Sequence, residues 1–464
     1  MFNKRKGRSI YFLTFAFFTG LVLGLNIKFV YSAEEPAHKY LDYFHQSYQL
    51  IREEYVDTPN TKELFFGAIR GMADALGDPF SRFLDETAYG ELKEVTSGQF
   101  VGVGIEVTIR ENEIVVITPI DDSPAIKAGI LAGDVITKVD NTEVQGKNLS
   151  EILKLIKGKP GTKVTLYIRR DGFDAPLDFS LERTAIKIKN VDYSMIESSN
   201  IGYLKIKNFG SETAGDTADA IKNLRRGGAE KFIVDLRSNP GGLLTAAVDL
   251  ADMFLEKGQT VVSTKDSKKH NTNRQEPNSV NNIYYSENKP LVSEDLIVLV
   301  NKGSASASEI FAGAVRDNKR GKLVGEKTFG KGSVQKTFPL GDNVGIAVTV
   351  AKYYTPSGEM IHQKGIVPDY VVAQEIMNQQ DVEAIRTIHK QKIMATLPDT
   401  YKKYNENSRN AFRLYLKEKN IKLSDRMADS ILKEHVYANE KRPIYDTEFD
   451  DQLAKAVDIL THGR

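Results

Sequence analysis

The chain has 464 residues, 41% hydrophobic and 9% aromatic, enough to bury cores in two to four domains. Its 63 Lys and Arg nearly balance 62 Asp and Glu for a formal net charge of +1, so no basic surplus points to nucleic acid. Cysteine is absent, which excludes disulfides, thiolate catalysis and Cys-ligated zinc.

At the N-terminus, Lys4, Arg5, Lys6 and Arg8 precede an uncharged run from Ser9 to Ile27 rich in Phe, Leu and Val. A basic flank followed by an apolar segment able to span about 28 Å as a helix is the pattern of a secretory signal or a membrane anchor. Both readings stay open over residues 1–33. Ser32-Ala33 would suit cleavage, whereas Tyr31 is large for the position three residues before it. Either way the remainder is expected to be extracytoplasmic, secreted or membrane-tethered.

Residues 34–97 read as mostly helical, with aromatic and aliphatic residues at three- and four-residue spacing from Tyr40 to Ile51. Such a face packs on its own chain or on a partner subunit. Asp78-Pro79-Phe80-Ser81-Arg82-Phe83-Leu84 reads as a loop before a short helix ending near Thr96.

From 98 to 182 the pattern changes to short β runs broken by glycine. Val101-Gly102-Val103-Gly104 with the strand that follows, Ser123-Pro124-Ala125 to Ile130, and Gly133-Asp134-Val135 to Asp140 together resemble a PDZ domain. Backbone amides at Val101, Gly102, Val103 and Gly104 can form a nest for a chain-terminal carboxylate, beside a strand edge that can pair with an extended peptide. The segment Leu149 to Ile156 reads as the helix walling that groove.

Between 183 and 375 strands alternate with helices, the pattern of a βαβ core. Phe232–Leu236, Leu296–Val300 and Leu323–Gly325 read as buried strands and Leu244–Glu256 as an amphipathic helix. The polar stretch Thr264–Asn288 reads as a surface excursion near the mouth of the site. After Val300, Ser304-Ala305-Ser306-Ala307-Ser308-Glu309 falls on a strand-to-helix turn, where backbone N–H groups lack partners and a nucleophile can be presented. Serine is equally a favoured helix cap, so the serines alone decide nothing. Lys331 does more. It lies between Gly330 and Gly332 among small and apolar residues, an odd place for a solvated lysine. A lysine acts as general base only when neutral, and lowering its pKa from about 10.4 towards 7 means about 4 kcal/mol of disfavoured charge, within reach of desolvation. Ser with Lys is a known variant of the nucleophile–base arrangement.

These two blocks, with Asp235-Leu236-Arg237-Ser238-Asn239-Pro240-Gly241-Gly242 and Tyr354-Thr355-Pro356-Ser357-Gly358, resemble the signature blocks of the carboxyl-terminal processing proteases. The resemblance covers nearly everything after the N-terminal segment. It implies a crotonase-like α/β (α+β) ββα core with an inserted PDZ domain, Ser306 as nucleophile, Lys331 as base and Gln335 as the residue orienting the lysine. Either Gly241 or Gly242, with Ala307, would supply the oxyanion-hole amides, each contributing about 3 kcal/mol to the transition state. No cofactor or metal is implied. The nearest likeness is to Bacillus-type members, some of which act between compartments during spore formation.

Residues 376–464 return to charged helical text at Val382–Leu397, Ser408–Glu418 and Asp450–Leu460, suited to their own core or to a homodimer in which both termini interlock. A Ser-His-Asp protease is disfavoured because none of the seven histidines has the expected context and Gly-Asp-Ser-Gly-Gly is missing. Metal catalysis lacks a His-Glu-x-x-His or clustered ligand set. A crotonase-like acyl enzyme would not need the Ser–Lys pair. The alternative of another class is a non-catalytic PDZ peptide-binding scaffold. The expectation is a serine endopeptidase that takes peptide substrates by their free C-terminus.

Overall fold

The computed structural model describes residues 37–463, apart from 111, 121–122, 171, 188, 267–281, 342, 374–377, 399–400, 402 and 438–443. The N-terminal apolar run and most of the 264–288 excursion therefore lie outside the described residues. Two units divide the chain at Gly77 and Asp78. In the first, α1 (Ala37–Glu54) and α2 (Thr61–Asp74, capped by Asn60) meet through Phe65, whose ring lies 5.9 Å from Phe44 and 5.0 Å from Tyr48. No residue of α1 is buried.

The second unit begins with β1 (Arg82–Leu84) and α3 (Glu86–Ser97). The sequence reads β1 as loop. It forms a strand because it finds a partner far along the chain, Phe83 opposite Ile346 in β18 (Val344–Tyr354). Next comes a ladder of β2 (Gln99–Gly102) with β9 (Thr184–Lys187), pairing Gln99 with Lys187 and Gly102 with Thr184. That ladder brings the two ends of the intervening module side by side. Such closure lets a domain be inserted without distorting its host.

The module holds β3 (Ile105–Arg110), β4 (Glu113–Pro119), α4 (Pro124–Ala128), β5 (Val135–Val139), β6 (Thr142–Glu143), α5 (Leu149–Ile156), β7 (Lys163–Arg169) and β8 (Leu177–Glu182). Its core is its own, built on Val103, Ile114, Ile130, Ile136, Ile152, Leu166 and Ile168. Among the described residues β3 pairs with β4 alone in its sheet, which leaves its other edge open.

The core that follows is a sheet ordered β10 (Val191–Met195), β11 (Ile201–Ile206), β12 (Lys231–Asp235), β15 (Asp295–Val300), β16 (Lys322–Gly325), β19 (Tyr370–Val371), parallel except for β10. Its strands read as unbroken apolar runs because both faces are covered. Phe232, Val234, Leu296, Val298 and Val300 face the cluster made with α6 (Thr213–Arg226), α7 (Leu244–Asp252) and α8 (Ala307–Asp317). The alternate residues Ile233, Ile297, Leu299 and Val324 meet Leu453, Ala456 and Leu460 of α12 (Asp451–His462). The C-terminal helix thus packs on its own chain. A second, antiparallel sheet joins β1, β18, β13 (Thr260–Lys265) and β14 (Ile283–Tyr285), with β17 (Ser333–Gly341) on the other side of β18.

Helix α7 ends at Asp252, short of the expected Glu256. The C-terminal region holds α9 (Gln379–Lys390), α10 (Glu406–Glu418) and α11 (Asp425–Val436) around Ile388, Phe412, Leu416 and Leu432. Sequence reasoning passed over α11, which buries Ala428 and Leu432 beside the charged Asp429.

Candidate active site

Three loops leave the carboxyl ends of adjacent parallel strands, the usual position for a site in an open α/β sheet. Asn239–Gly242 follows β12, Ser304–Ser306 follows β15, and Thr328–Lys331 follows β16. Ser306 has φ 55° and ψ −112°, a conformation that a non-glycine residue holds only when its surroundings enforce it. The flanking serines provide part of that enforcement. Ser304 Oγ donates to Leu236 O at 2.8 Å and Ser308 Oγ to Asn239 O at 2.9 Å, lashing the serine turn to the loop after β12. Both are 0% exposed, while Ser306 keeps 7% exposure.

Glu309 ties the second and third loops together. One carboxylate oxygen accepts the Thr328 hydroxyl (2.5 Å) and the Gly330 N–H (2.7 Å); the other accepts the N–H groups of Ser306 (2.9 Å) and Lys331 (2.8 Å). A single fully buried carboxylate therefore fixes the backbone of both expected catalytic residues. Burial pushes its pKa up, and the four donors oppose that shift without cancelling it.

Both glycines beside Lys331 are required by close backbone approach. Gly330 sits at φ 92°, and a Cβ on Gly332 would stand 2.2 Å from His362 N. The loop turns the half-buried Lys331 side chain so that Nζ lies 4.9 Å from the Phe80 ring centroid. Its amine makes no hydrogen bond among the described residues. Its pKa falls below the ordinary lysine value, first through burial and then through Arg82, while Asp78 and Glu309 act the other way. The Tyr353 phenol stands near the Ser306 hydroxyl, and burial drives its pKa up. In this arrangement no hydrogen bond joins Ser306 to Lys331.

The geometry separates the two glycines of the turn. Gly241 donates its N–H to Asn239 Oδ1 at 2.9 Å, and a Cβ there would lie 2.8 Å from Ser306 Cβ. Gly241 is thus pressed against the serine, with its amide occupied. The N–H groups of Gly242 and Ala307 have no hydrogen-bond partner among the described residues. Gln335 Nε2 donates to Ser333 Oγ (2.8 Å) and Thr349 Oγ1 (3.2 Å) and makes no bond to the lysine. In the inserted module, Val101 and Gly102 belong to the β2–β9 ladder, while Val103 and Gly104 (φ 77°) lie beyond it and their carbonyls cap Ala125 and Ile120.

Family models match at residues 200–372 (Peptidase family S41), 101–181 (PDZ domain) and 27–88 (Activating protease CtpB N-terminal domain). The carboxy-terminal-processing protease of Bartonella bacilliformis is 40% identical over 371 residues, covering 79% of this chain and 83% of that protein. The chain belongs to the carboxyl-terminal processing proteases of peptidase family S41. It is a serine-type peptidase carrying a PDZ domain. The Synechocystis carboxyl-terminal-processing protease is 39% identical over 73% of this chain and 79% of its own length. CtpA of Bacillus subtilis is 38% identical over 70% and 68%. The N-terminal domain model carries the CtpB name. Among solved structures, a photosystem II D1 C-terminal processing protease is 33% identical, with 74% of this chain and 90% of that one covered at a TM-score of 0.41.

Glu309, Asp78, Ser81 and Tyr353 are the site residues that sequence reasoning missed. Glu309 was the one within reach: Glu three residues into a helix after Ser is a capping-box pattern.

Proposed function

We propose that Ser306 is the nucleophile and Lys331 the general base of this peptidase, acting on extracytoplasmic proteins presented by their C-termini. The single observation that carries the reading is the Glu309 carboxylate, which clamps the strained Ser306 turn to the loop of the part-desolvated Lys331. Neutral Nζ takes the Ser306 proton while Oγ bonds to the scissile carbonyl carbon. The carbonyl electrons move onto oxygen, where the free amides of Gly242 and Ala307 receive them. Collapse expels the amine leaving group with the proton from Nζ. Water then attacks the ester, Nζ accepts its proton, and Ser306 is released with it. Gly241 supplies clearance rather than a donor.

The PDZ module takes the substrate tail, the carboxylate meeting the amides around Val103 and Gly104 and the chain adding to the open edge of β3. Amidating the C-terminus of a test peptide is expected to slow cleavage at least tenfold, through KM. Equal rates for acid and amide would refute tail recognition.

The basic and apolar N-terminal pattern supports an extracytoplasmic, membrane-tethered or secreted enzyme, and kinship to Bacillus-type members supports a processing role in spore formation. The aromatic face of α1, with Tyr40, Leu41, Tyr43 and Phe44 exposed, fits a second copy of the chain. Co-expressed tagged and untagged chains are expected to co-purify; failure to do so removes the homodimer.

A further inference from the structure

The segment Asp78–Leu84 reaches the site from the N-terminal side of the chain, and its polar groups converge on Gln335. Asp78 Oδ2 accepts the Thr349 hydroxyl at 2.5 Å and the Ser81 hydroxyl at 2.6 Å. Ser81 Oγ accepts the Thr349 N–H at 2.9 Å, and Asp78 Oδ1 accepts the Phe80 N–H at 3.1 Å. This turn carries the Phe80 ring over the lysine amine. The direction of the chain of bonds follows from chemistry. An ionised carboxylate only accepts, so the Thr349 proton must go to Asp78. The Thr349 oxygen is then left to accept, and its neighbour Gln335 must turn Nε2 towards it and towards Ser333. The Gln335 carbonyl oxygen is the pole left over; it makes no bond to Lys331 in this arrangement, and an N–H of Lys331 would donate to it once the amine turns to Ser306. An amine that donates there keeps its lone pair for the serine proton. With the amide reversed, Nε2–H would instead compete for that lone pair.

We propose that Asp78 is a positioning residue for the general base: through Thr349 it sets the sense of the Gln335 amide and so directs the lone pair of Lys331 towards Ser306. The proposal rests on the Ser306–Lys331 reading and adds a residue that does not touch substrate. Its nearest charged neighbours are known. Lys331 feels Asp78, Arg82 and Glu309, and Asp78 itself feels His362, whose buried Nδ1 has no partner. Asp78 is held below the usual carboxylate range by the hydroxyl and amide donors against the opposing effect of its burial, so it stays ionised where the enzyme works.

Asp78→Asn is isosteric, yet its amide can donate to Thr349 and reverse the relay. The expected result is a fall in kcat of about 10- to 100-fold with KM little changed, on a peptide with a free carboxylate. Removing a negative charge near Nζ also favours the neutral amine, so the acid limb of the kcat profile is expected to move to lower pH. That shift follows from the lost charge alone, so the relay itself is read in Thr349→Val, which keeps the charge and is expected to lower kcat with KM little changed. Thr349→Val breaks the same relay while sparing the Asp78–Ser81 turn, and decides the matter should Asp78→Asn not fold. Adding Thr349→Val to Asp78→Asn is expected to cost nothing beyond the worse single change. Parent kcat in a folded Asp78→Asn or Thr349→Val, beside an inactive Lys331→Ala, overturns the proposal and leaves the base assignment intact. Full activity in Lys331→Ala overturns the reading beneath it.

Discussion

Glu309→Ala is expected to destabilise the core by roughly 4 kcal/mol or more, and to abolish active-site labelling even where the protein still folds. Four donors converge on this carboxylate, three of them backbone N–H groups that no nearby side chain can replace. Each buried donor left without an acceptor costs about 1–3 kcal/mol. A core of this size translates that loss into a Tm lower by about 10 °C. Glu309→Gln does not rescue it, because one acceptor oxygen becomes an NH2 group facing N–H donors. The check is a thermal melt beside fluorophosphonate labelling. A variant that melts and labels like the parent would show that the two loops hold themselves in place without the clamp.

Lys331→Ala is expected to lower kcat about 10²- to 10⁴-fold, the range spanned by positioned general bases. Ser306→Ala, which removes the proposed nucleophile, should leave only binding. The double variant should be no worse than Ser306→Ala, since residues that act as a unit are not additive. The melt of Lys331→Ala should match the parent, because the Lys331 N–H to Glu309 is a backbone bond that survives the change. Steady-state rates on one peptide across the three variants test this, and additive losses would argue for independent roles.

Much of this was legible in the chain. Unbroken apolar runs such as Leu296–Val300 announce strands covered on both faces, and Gly330-Lys331-Gly332 announces a lysine held by tight backbone. The PDZ module was readable because its glycine-rich loop and its later strands carry independent signals. What the sequence could not give were pairings across great separations. Asp78 and Thr349 are 271 residues apart, and nothing local in Asp78-Pro79-Phe80-Ser81 distinguishes a partner in β18 from an ordinary turn. The same holds for β1, a three-residue strand that exists only because β18 is beside it. The choice between Gly241 and Gly242 was closed to sequence for a different reason. Both residues permit a positive φ, and only the Asn239 side chain, folding back on one of them, decides which N–H stays free.

The most direct test of the base assignment is the rate of fluorophosphonate labelling of Ser306 as a function of pH, in the parent and in Lys331→Ala. Burial and the nearby Arg82 hold the Lys331 amine below its ordinary value of 10.5, so the parent rate should rise with pH and level off before that value is reached. In Lys331→Ala the rate should be low throughout and the limb absent. The same limb and the same plateau in both proteins would mean that some other group takes the serine proton.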